Sequence, residues 1–404
     1  MNRTIKNKFE GKTADETASE FAQYIGVDNA WFMKFVFALK EDWLNKGCSV
    51  SDILIREGKP IMVAPVKTYV PFVAKNFEIT FTPTRTGIND IAKKFHHFSG
   101  EQKEGVVAEF SFYVMGLGIF RVNYSFDSGG VGMSIRYLTF NLPELGNRKY
   151  PPFYENFIRK LVSTSSIKTP TGVVKTNTIR NGGLILHVGA TGSGKTTSIA
   201  SEVGHFAENI TGAIVTYENP IEYRYTAMKA PVRQYEIGID IKKTDELTEF
   251  ESIKRHLLRN NPSVVVIGEA RDKNEIKEML DASARGHLVF GTIHASNVME
   301  ALTLLMSITA DEPYLLASVL QAIVAHRLTT NKEGELIPIY EILIPDTIIR
   351  THLSAGNLKE IGSIFIKENL QKLAITFTNS INNLVSEGVL TPEEGRKAGV
   401  ASSE

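Results

Sequence analysis

Cysteine is nearly absent: Cys48 is the only one in 404 residues. One thiol cannot close an intrachain disulfide. It also excludes zinc modules built on four cysteines, or on two cysteines and two histidines. It suits a reducing compartment. A surplus of either charge is missing too, since 45 Lys and Arg balance 45 Asp and Glu. Zero net charge argues against a chain whose whole surface wraps nucleic acid, and leaves room for a local basic patch. The most apolar early run, WFMKFVFALK, is interrupted by Lys34 and is too short to span a bilayer. The opening MNRTIKNKFEG is polar and lacks the apolar stretch of a signal peptide. These absences predict a soluble cytoplasmic protein without a transmembrane segment. If it works at a membrane, it docks there through a partner.

The composition itself is ordinary for a globular chain, at 43% hydrophobic and 22% charged. The length predicts two or three domains, with a core large enough to need no staple. The fold class predicted is α/β. Residues 1–45 read as a polar extension leading into a short helix. Residues 46–142 carry short β-rich runs (SDILIREGKPIMVA, FEITFTPT, EGVVAEFSFYVMG, GIFRVNYSF), which predict a mixed α/β module built on an antiparallel sheet. LPELGNRKYPP opens an interdomain linker with a first helix over 143–180. After about residue 180 four apolar runs recur between helical segments: LILHV, AIVTY, VVVI and HLVFGTI. Continuous Val, Ile and Leu runs are what a parallel sheet covered on both faces requires. The core is predicted over 181–345, and a helical region over 346–404. From about 312 the chain reads as mostly helical, and TPEE at 391–394 matches a capping box with Pro392 at the first helical position.

The strongest chemical signal is GATGSGKT, Gly189 to Thr196, which fits G-x-x-x-x-G-K-[ST]. Glycines let such a loop wind tightly enough for its N–H groups to point inward at phosphate oxygens. Gly189, Ala190, Thr191, Gly192, Ser193, Gly194, Lys195, Thr196 and Thr197 are the predicted nucleotide-binding residues. Lys195 would pair with the β- and γ-phosphates of ATP, and Thr196 would offer its hydroxyl to Mg²⁺. A helix starting near Lys195 adds its positive dipole end.

Hydrolysis needs a carboxylate to orient water and polar groups to hold Mg²⁺. Glu269, in VVVIGEARD, sits just past a buried strand, where open α/β sheets place ligands. The Asp usual before such a Glu is Gly268 here. Glu269 therefore takes the water-positioning role, and Mg²⁺ leans on Thr196 and other acids. In TYENPIEY, Glu218 and Glu222 flank Asn219 and Pro220. They are either metal and water ligands or a charged turn, and spacing does not separate the two. In GHLVFGTIHASN, His287 opens a strand and His294 closes it. A histidine at a strand end is either a γ-phosphate contact or a packed core residue.

Taken in order, these segments resemble the secretion and pilus-motor ATPases, the PilT/GspE-like branch of the RecA-type fold. Phosphate loop, ENPIEY, QYEIG, FESIKRHLLRNNPSVVVIGEARD and GHLVFGTIHAS are similar to that family's Walker A, Asp box, QxExG turn, Walker B and His box. SDILIREGKPIMV and FRVNYSFDSGGVGMSIRYL resemble its N-terminal module, and NSINNLVSEGVLTPEEGRKAG its C-terminal helices. The resemblance covers about residues 48–400. It implies a PAS-like N-terminal domain, a RecA-like P-loop ATPase domain with a helical tail, and ATP with Mg²⁺. It implies Glu269 as the catalytic Walker B glutamate and Glu218 and Glu222 as acids near Mg²⁺ and water. Glu218 and Thr196 would share the metal. His294 would be the γ-phosphate contact with His287 in support, and Arg121 and Arg136 would be arginines presented to the phosphates. It also implies a homohexamer at the cytoplasmic face of the bacterial inner membrane, working with secretion, conjugation or pilus components and without direct nucleic-acid binding.

Several departures narrow the resemblance. Asn219 stands where the Asp box usually has Asp. The four-cysteine module common in pilus-extension and type II secretion members is excluded by the lone Cys48. TIIRTHLSAG replaces the AIRNLIRE of retraction motors, and AHRL is closer to the QRL of secretion members. With the N-terminal extension, these features resemble the DotB/TraJ type, the ATPases of type IVB secretion and plasmid conjugation. The expected function is therefore ATP hydrolysis energising such an apparatus. A retraction motor is the alternative, and a nucleotide-gated scaffold or DNA translocase a lesser one.

Overall fold

The structure is a computed structural model. It describes residues 32, 35–36, 38–40, 43–44, 50–64, 69–73, 83–96, 107–114, 118–139, 142–170, 172–225, 228–238, 240–241, 248–270, 272–333, 335–367 and 373–400. The helix expected over ADETASEFAQYIGV lies outside them. The chain divides into two compact units, Met1–Asn141 and Leu142–Glu404.

The first unit is a six-stranded antiparallel sheet with one described full helix. Its strands are β1 (Asp52–Arg56), β2 (Met62–Ala64), β3 (Val70–Pro71), β4 (Val107–Val114), β5 (Gly118–Asp127) and β6 (Gly130–Thr139), in spatial order β3-β2-β1-β6-β5-β4. Alternation sets the core: Val122 and Tyr124 on β5, with Val131, Met133 and Ile135 on β6, are buried with Ile88 and Ile91 of α1 (Arg85–His96). Phe32, Phe35, Val36 and Leu39, from the stretch expected to be an extension, are buried in this same core.

The second unit is a doubly covered sheet. Its strands are β9 (Gly183–Val188), β10 (Ile214–Glu218), β11 (Val232–Glu236), β12 (Val264–Ile267), β13 (Leu288–Ile293), β14 (Leu320–Thr330), β15 (Leu336–Leu343) and β16 (Ala374–Ile375). The spatial order is β11-β10-β12-β13-β9-β14-β15-β16. Strands β9 to β14 run parallel, β15 runs antiparallel to β14, and β16 runs antiparallel to β15. The apolar runs have a simple cause. Leu184, Leu186 and Val188 of β9 face one core, with Val265 and Ile267 of β12. Ile185 of β9 faces the other, with Val264 and Val266. A strand buried on both faces has no solvent-facing position, so apolar residues dominate it, His187 of β9 being a buried exception.

The first face is covered by α4 (Glu249–Asn260), α5 (Lys273–Ala284), α6 (Val298–Ile308), α7 (Pro313–Val319), α8 (Thr347–Ser354), α9 (Leu358–Lys367), α10 (Phe377–Ser386) and α11 (Pro392–Val400). The second is covered by α2 (Pro152–Lys160) and α3 (Lys195–Asn209). The expected capping box forms at α11: Thr391 N donates to Glu394 at 2.7 Å, and Glu394 N to Thr391 Oγ1 at 3.3 Å.

Two stretches differ from expectation. The region after about 312 is not mostly helical, because β14 and β15 run for 11 and 8 residues inside it. QAIVAHRL is a short continuous apolar run, and periodicity alone does not separate a buried strand from a buried helix. The second stretch is 143–180. Its helix α2 is followed by a two-stranded antiparallel hairpin, β7 (Val162–Thr169) and β8 (Gly172–Ile179), which forms a sheet of its own.

Candidate active site

All parallel strands of the second unit end on one edge, and the predicted groups of that unit gather there, His287 excepted. The loop Gly189–Gly194 joins β9 to α3, the helix that begins at Lys195 and carries Thr196 and Thr197 in its first turn. Gly189 has φ 142° and Gly194 φ 95°. A Cβ on Gly189 would lie 2.7 Å from both the His326 carbonyl oxygen and Ser193 Oγ, so the loop can pass there only as glycine. The N-cap of α3 is Gly194, with no side-chain cap and no acid in the first turn. The helix therefore presents open N–H donors and its positive end to the loop.

Lys195 Nζ folds back across the loop and donates to the carbonyl oxygens of Gly189 at 2.7 Å and Ala190 at 2.9 Å. Burial lowers its pKa, while the carboxylates of Glu269 and Glu222 act to raise it. Both acids therefore act on the lysine through charge. Ser193 Oγ is buried without a hydrogen-bond partner. An orphaned hydroxyl, a lysine held over the loop and uncapped N–H groups fit a polyanionic phosphate chain.

Glu269 lies two residues beyond β12. Its turn is fastened to the end of β13: Thr292 Oγ1 donates to Gly268 O, and Ala270 N to Thr292 O at 2.9 Å. The same strand end delivers His294, whose Nε2 stands 2.7 Å from Glu269 Oε1, with the two side chains 57% and 34% exposed. Gly268 also has a local cause. A Cβ there would come within 3.3 Å of Glu218 Cα, a tight approach for the Asp usual at this position.

Glu218 closes β10 and is only 8% exposed. Burial pushes its pKa up to about 7, against the pull of hydrogen bonds from Thr216 Oγ1 at 2.6 Å and Gln234 Nε2 at 3.3 Å. Glu218 ends its strand on the same edge of the sheet as the phosphate loop. The Asn219–Pro220 peptide is cis. Beyond it, Tyr223 OH donates to Thr197 Oγ1 at 3.2 Å, and Gln234 Nε2 donates to Tyr223 O at 2.7 Å. Gln234, from QYEIG, thus ties the acidic turn to β11, a role no sequence signal assigned to it. Among the described residues no group of three or more His, Cys, Asp or Glu forms a metal cage.

His287 does not join the site. It sits at the opposite end of β13, buried, with Nδ1 donating to Pro262 O at 2.6 Å. Arg121 and Arg136 belong to the first unit, where they are register partners on β5 and β6. Arg136 Nε pairs with Asp52 at 3.3 Å, and both arginines line a concavity of about 240 Å³ with Asp52 and Tyr69.

Behind the loop lies a buried polar cluster. Glu202 of α3 accepts from Tyr150 OH at 2.5 Å, Tyr154 OH at 3.2 Å and His187 Nε2 at 3.2 Å. His187 Nδ1 lies 2.8 Å from His326 Nε2, joining β9 to β14. Burial, with His187, Arg148 and Lys195 nearby, holds His326 neutral. Arg148 Nη2 donates to Ser198 Oγ at 3.0 Å on the first turns of α3. The cluster binds together the strand before the loop, the helix after it and the neighbouring strand. Its one sequence trace is a histidine inside the otherwise apolar run LILHV.

Residues 164–342 match the family described as Type II/IV secretion system protein. The chain is 29% identical over 291 residues to the type IV pilus ATPase PilU of Pseudomonas aeruginosa, covering 70% of this chain and 69% of that one. Its structure is similar to the pilus retraction motor PilT, solved with bound ADP, at TM-score 0.71 and 27% identity, over 89% and 95% of the two chains. The Legionella pneumophila ATPase DotB shares the fold, at TM-score 0.68 and 22% identity, over 92% and 95%. The chain is thus similar, in sequence and in fold, to the secretion and pilus-motor ATPases.

Proposed function

We propose that this chain hydrolyses ATP to energise a type IVB-like secretion or plasmid conjugation apparatus, working as a homohexamer at the cytoplasmic face of the inner membrane. The observation that carries the hydrolytic reading is the Glu269–His294 pair at 2.7 Å, on the strand edge that also holds Lys195. The N–H groups of residues 189–194 and the start of α3 bind the phosphates, and Lys195 leaves its two carbonyl partners to pair with them. Glu269 orients the attacking water and accepts its proton. His294 holds Glu269 in place and contacts the terminal phosphate. Thr196 and Glu218 would hold Mg²⁺, which neutralises phosphate charge when bound. Gly268 leaves room for the Glu218 backbone, and Glu218 supplies the carboxylate that an Asp at 268 would have offered. Glu222 acts on Lys195 through its charge. Arg121 and Arg136 keep the phosphate-facing role that the family resemblance implies. Preorganised charge of this kind supplies most of the catalysis in phosphoryl transfer.

The secretion reading is supported by the sequence departures from retraction motors and by AHRL. The second reading, a pilus retraction motor, is supported by the names of the relatives PilU and PilT. Host cells carrying Glu269→Gln separate the two. Surface pili are counted and substrate transfer is scored in parallel. Loss of transfer at normal pilus number is the expected result. Excess pili with transfer intact would assign the chain to retraction instead.

A further inference from the structure

None of the site contacts described above involves the β7–β8 hairpin, and its composition is unlike the rest of the chain. From Val162 to Arg180 there is no Asp or Glu, and there are three cations, Lys168, Lys175 and Arg180. This is a local positive excess in a chain of zero net charge. The stem is uncharged and polar (Ser163, Thr164, Ser165, Thr176, Asn177, Thr178). The tip is apolar and open to solvent, with Ile167 50%, Val173 66% and Val174 47% exposed.

The register shows how the tip is built. Ile167 pairs with Val174 on one face of the ribbon, and Lys168 pairs with Val173 on the other. Apolar groups therefore project from both faces, with Lys168 and Lys175 beside them. A flat protein surface covers one face of a two-stranded ribbon. A lipid interface surrounds both, and its anionic headgroups meet the flanking lysines. The base is anchored: Asn177 Nδ2 donates to Asn209 O at 2.9 Å, and Thr211 N to Asn177 O at 2.9 Å. Asn209 ends α3, whose first residue is Lys195. At 1.5 Å per residue, that anchor stands about 20 Å from the phosphate loop.

We propose that the β7–β8 hairpin is a membrane-contact element that places its apolar tip in the headgroup region of an anionic lipid surface. Charge attracts the ribbon, and Ile167, Val173 and Val174 add apolar burial. The contact is this chain's own and needs no partner protein, and it stands independently of the nucleotide reading.

The test is sedimentation of the purified full chain with vesicles of phosphatidylglycerol and phosphatidylethanolamine, and with vesicles of phosphatidylcholine alone. Retention on the anionic vesicles, weakened by salt and absent on phosphatidylcholine, is expected. Ile167→Ser/Val173→Ser/Val174→Ser should lower retention on the order of tenfold. Lys168→Gln/Lys175→Gln, which leaves the apolar tip intact, should remove the preference for anionic lipid. Both variants should keep the wild-type ATP hydrolysis rate without vesicles, which also shows that they are folded. No retention of the wild type, or equal retention of the serine variant, would overturn the proposal. So would a change in oligomer size of the variants without a change in vesicle binding, which would give the tip to a second copy of the chain.

Discussion

Strand β13 carries a histidine just outside each end, and the two ends of the sheet treat them differently. His287, at the start, is buried and spends its Nδ1–H on the Pro262 carbonyl. His294, past the end, is 57% exposed and faces Glu269. The sequence context of the two is similar, so position in the sheet decides the role. Every parallel strand delivers its C-terminal end to one edge, where the next loop or helix begins with free N–H groups. That edge collects the glycine loop, Glu218, Glu269 and His294. The opposite edge is closed by packing. One end of the sheet is shaped for charge and the other for stability.

Lys195→Ala attacks the charged edge most directly. Removing one partner of a half-buried ionic contact costs about 3 kcal/mol, or roughly 100-fold in ATP affinity. Equilibrium binding of a fluorescent ATP analogue measures it, and unchanged affinity would remove the loop from the site. Glu202→Ala asks whether the buried cluster behind the loop belongs to that edge. It leaves Tyr150, Tyr154 and His187 with unsatisfied buried donors, at about 1–3 kcal/mol each before relaxation. The urea midpoint should fall clearly, and a shift within error would mean that water replaces the carboxylate without cost.

Glu218 sharpens the comparison through pH. Its folded pKa, raised from 4.5 to about 7, means that the folded protein holds a proton the unfolded chain has released. The linked stability is full below about pH 4.5, falls as pH rises through that window and is gone above about 7, a difference of about 3 kcal/mol. Glu218→Gln should flatten this slope between pH 5 and pH 8 in urea titrations. An identical pH dependence in wild type and variant would show that the carboxyl ionises freely. The smallest contrast is between the histidines. His287→Ala should cost about 1–3 kcal/mol by orphaning the Pro262 carbonyl. His294→Ala, at an exposed site, should stay within about 0.5 kcal/mol and lower turnover instead. The reverse pattern would invert the assignment of the two ends.

The charged edge was legible because its chemistry is written in contiguous residues. A glycine loop, a glutamate after VVVI and a histidine after GTI each sit on a strand end that their apolar runs mark. The rest depends on contacts between distant segments. Gln234 reaches Glu218 across neighbouring strands, and Glu202 meets Tyr150 and Tyr154 from 52 and 48 residues away. Strands β14 and β15 were hidden because a buried strand and a buried helix share one apolar signature. The β7–β8 hairpin was hidden because serine and threonine ribbons read as linker.

The most direct test of a hydrolytic edge measures two quantities on one preparation of the Glu269→Gln protein: ATP affinity and the rate of phosphate release. Wild-type affinity with release slowed by about 10²–10⁴ is the predicted result, the range expected for loss of a positioned general base. Release at the wild-type rate would contradict the account and leave Glu269 as a surface carboxylate at a strand end.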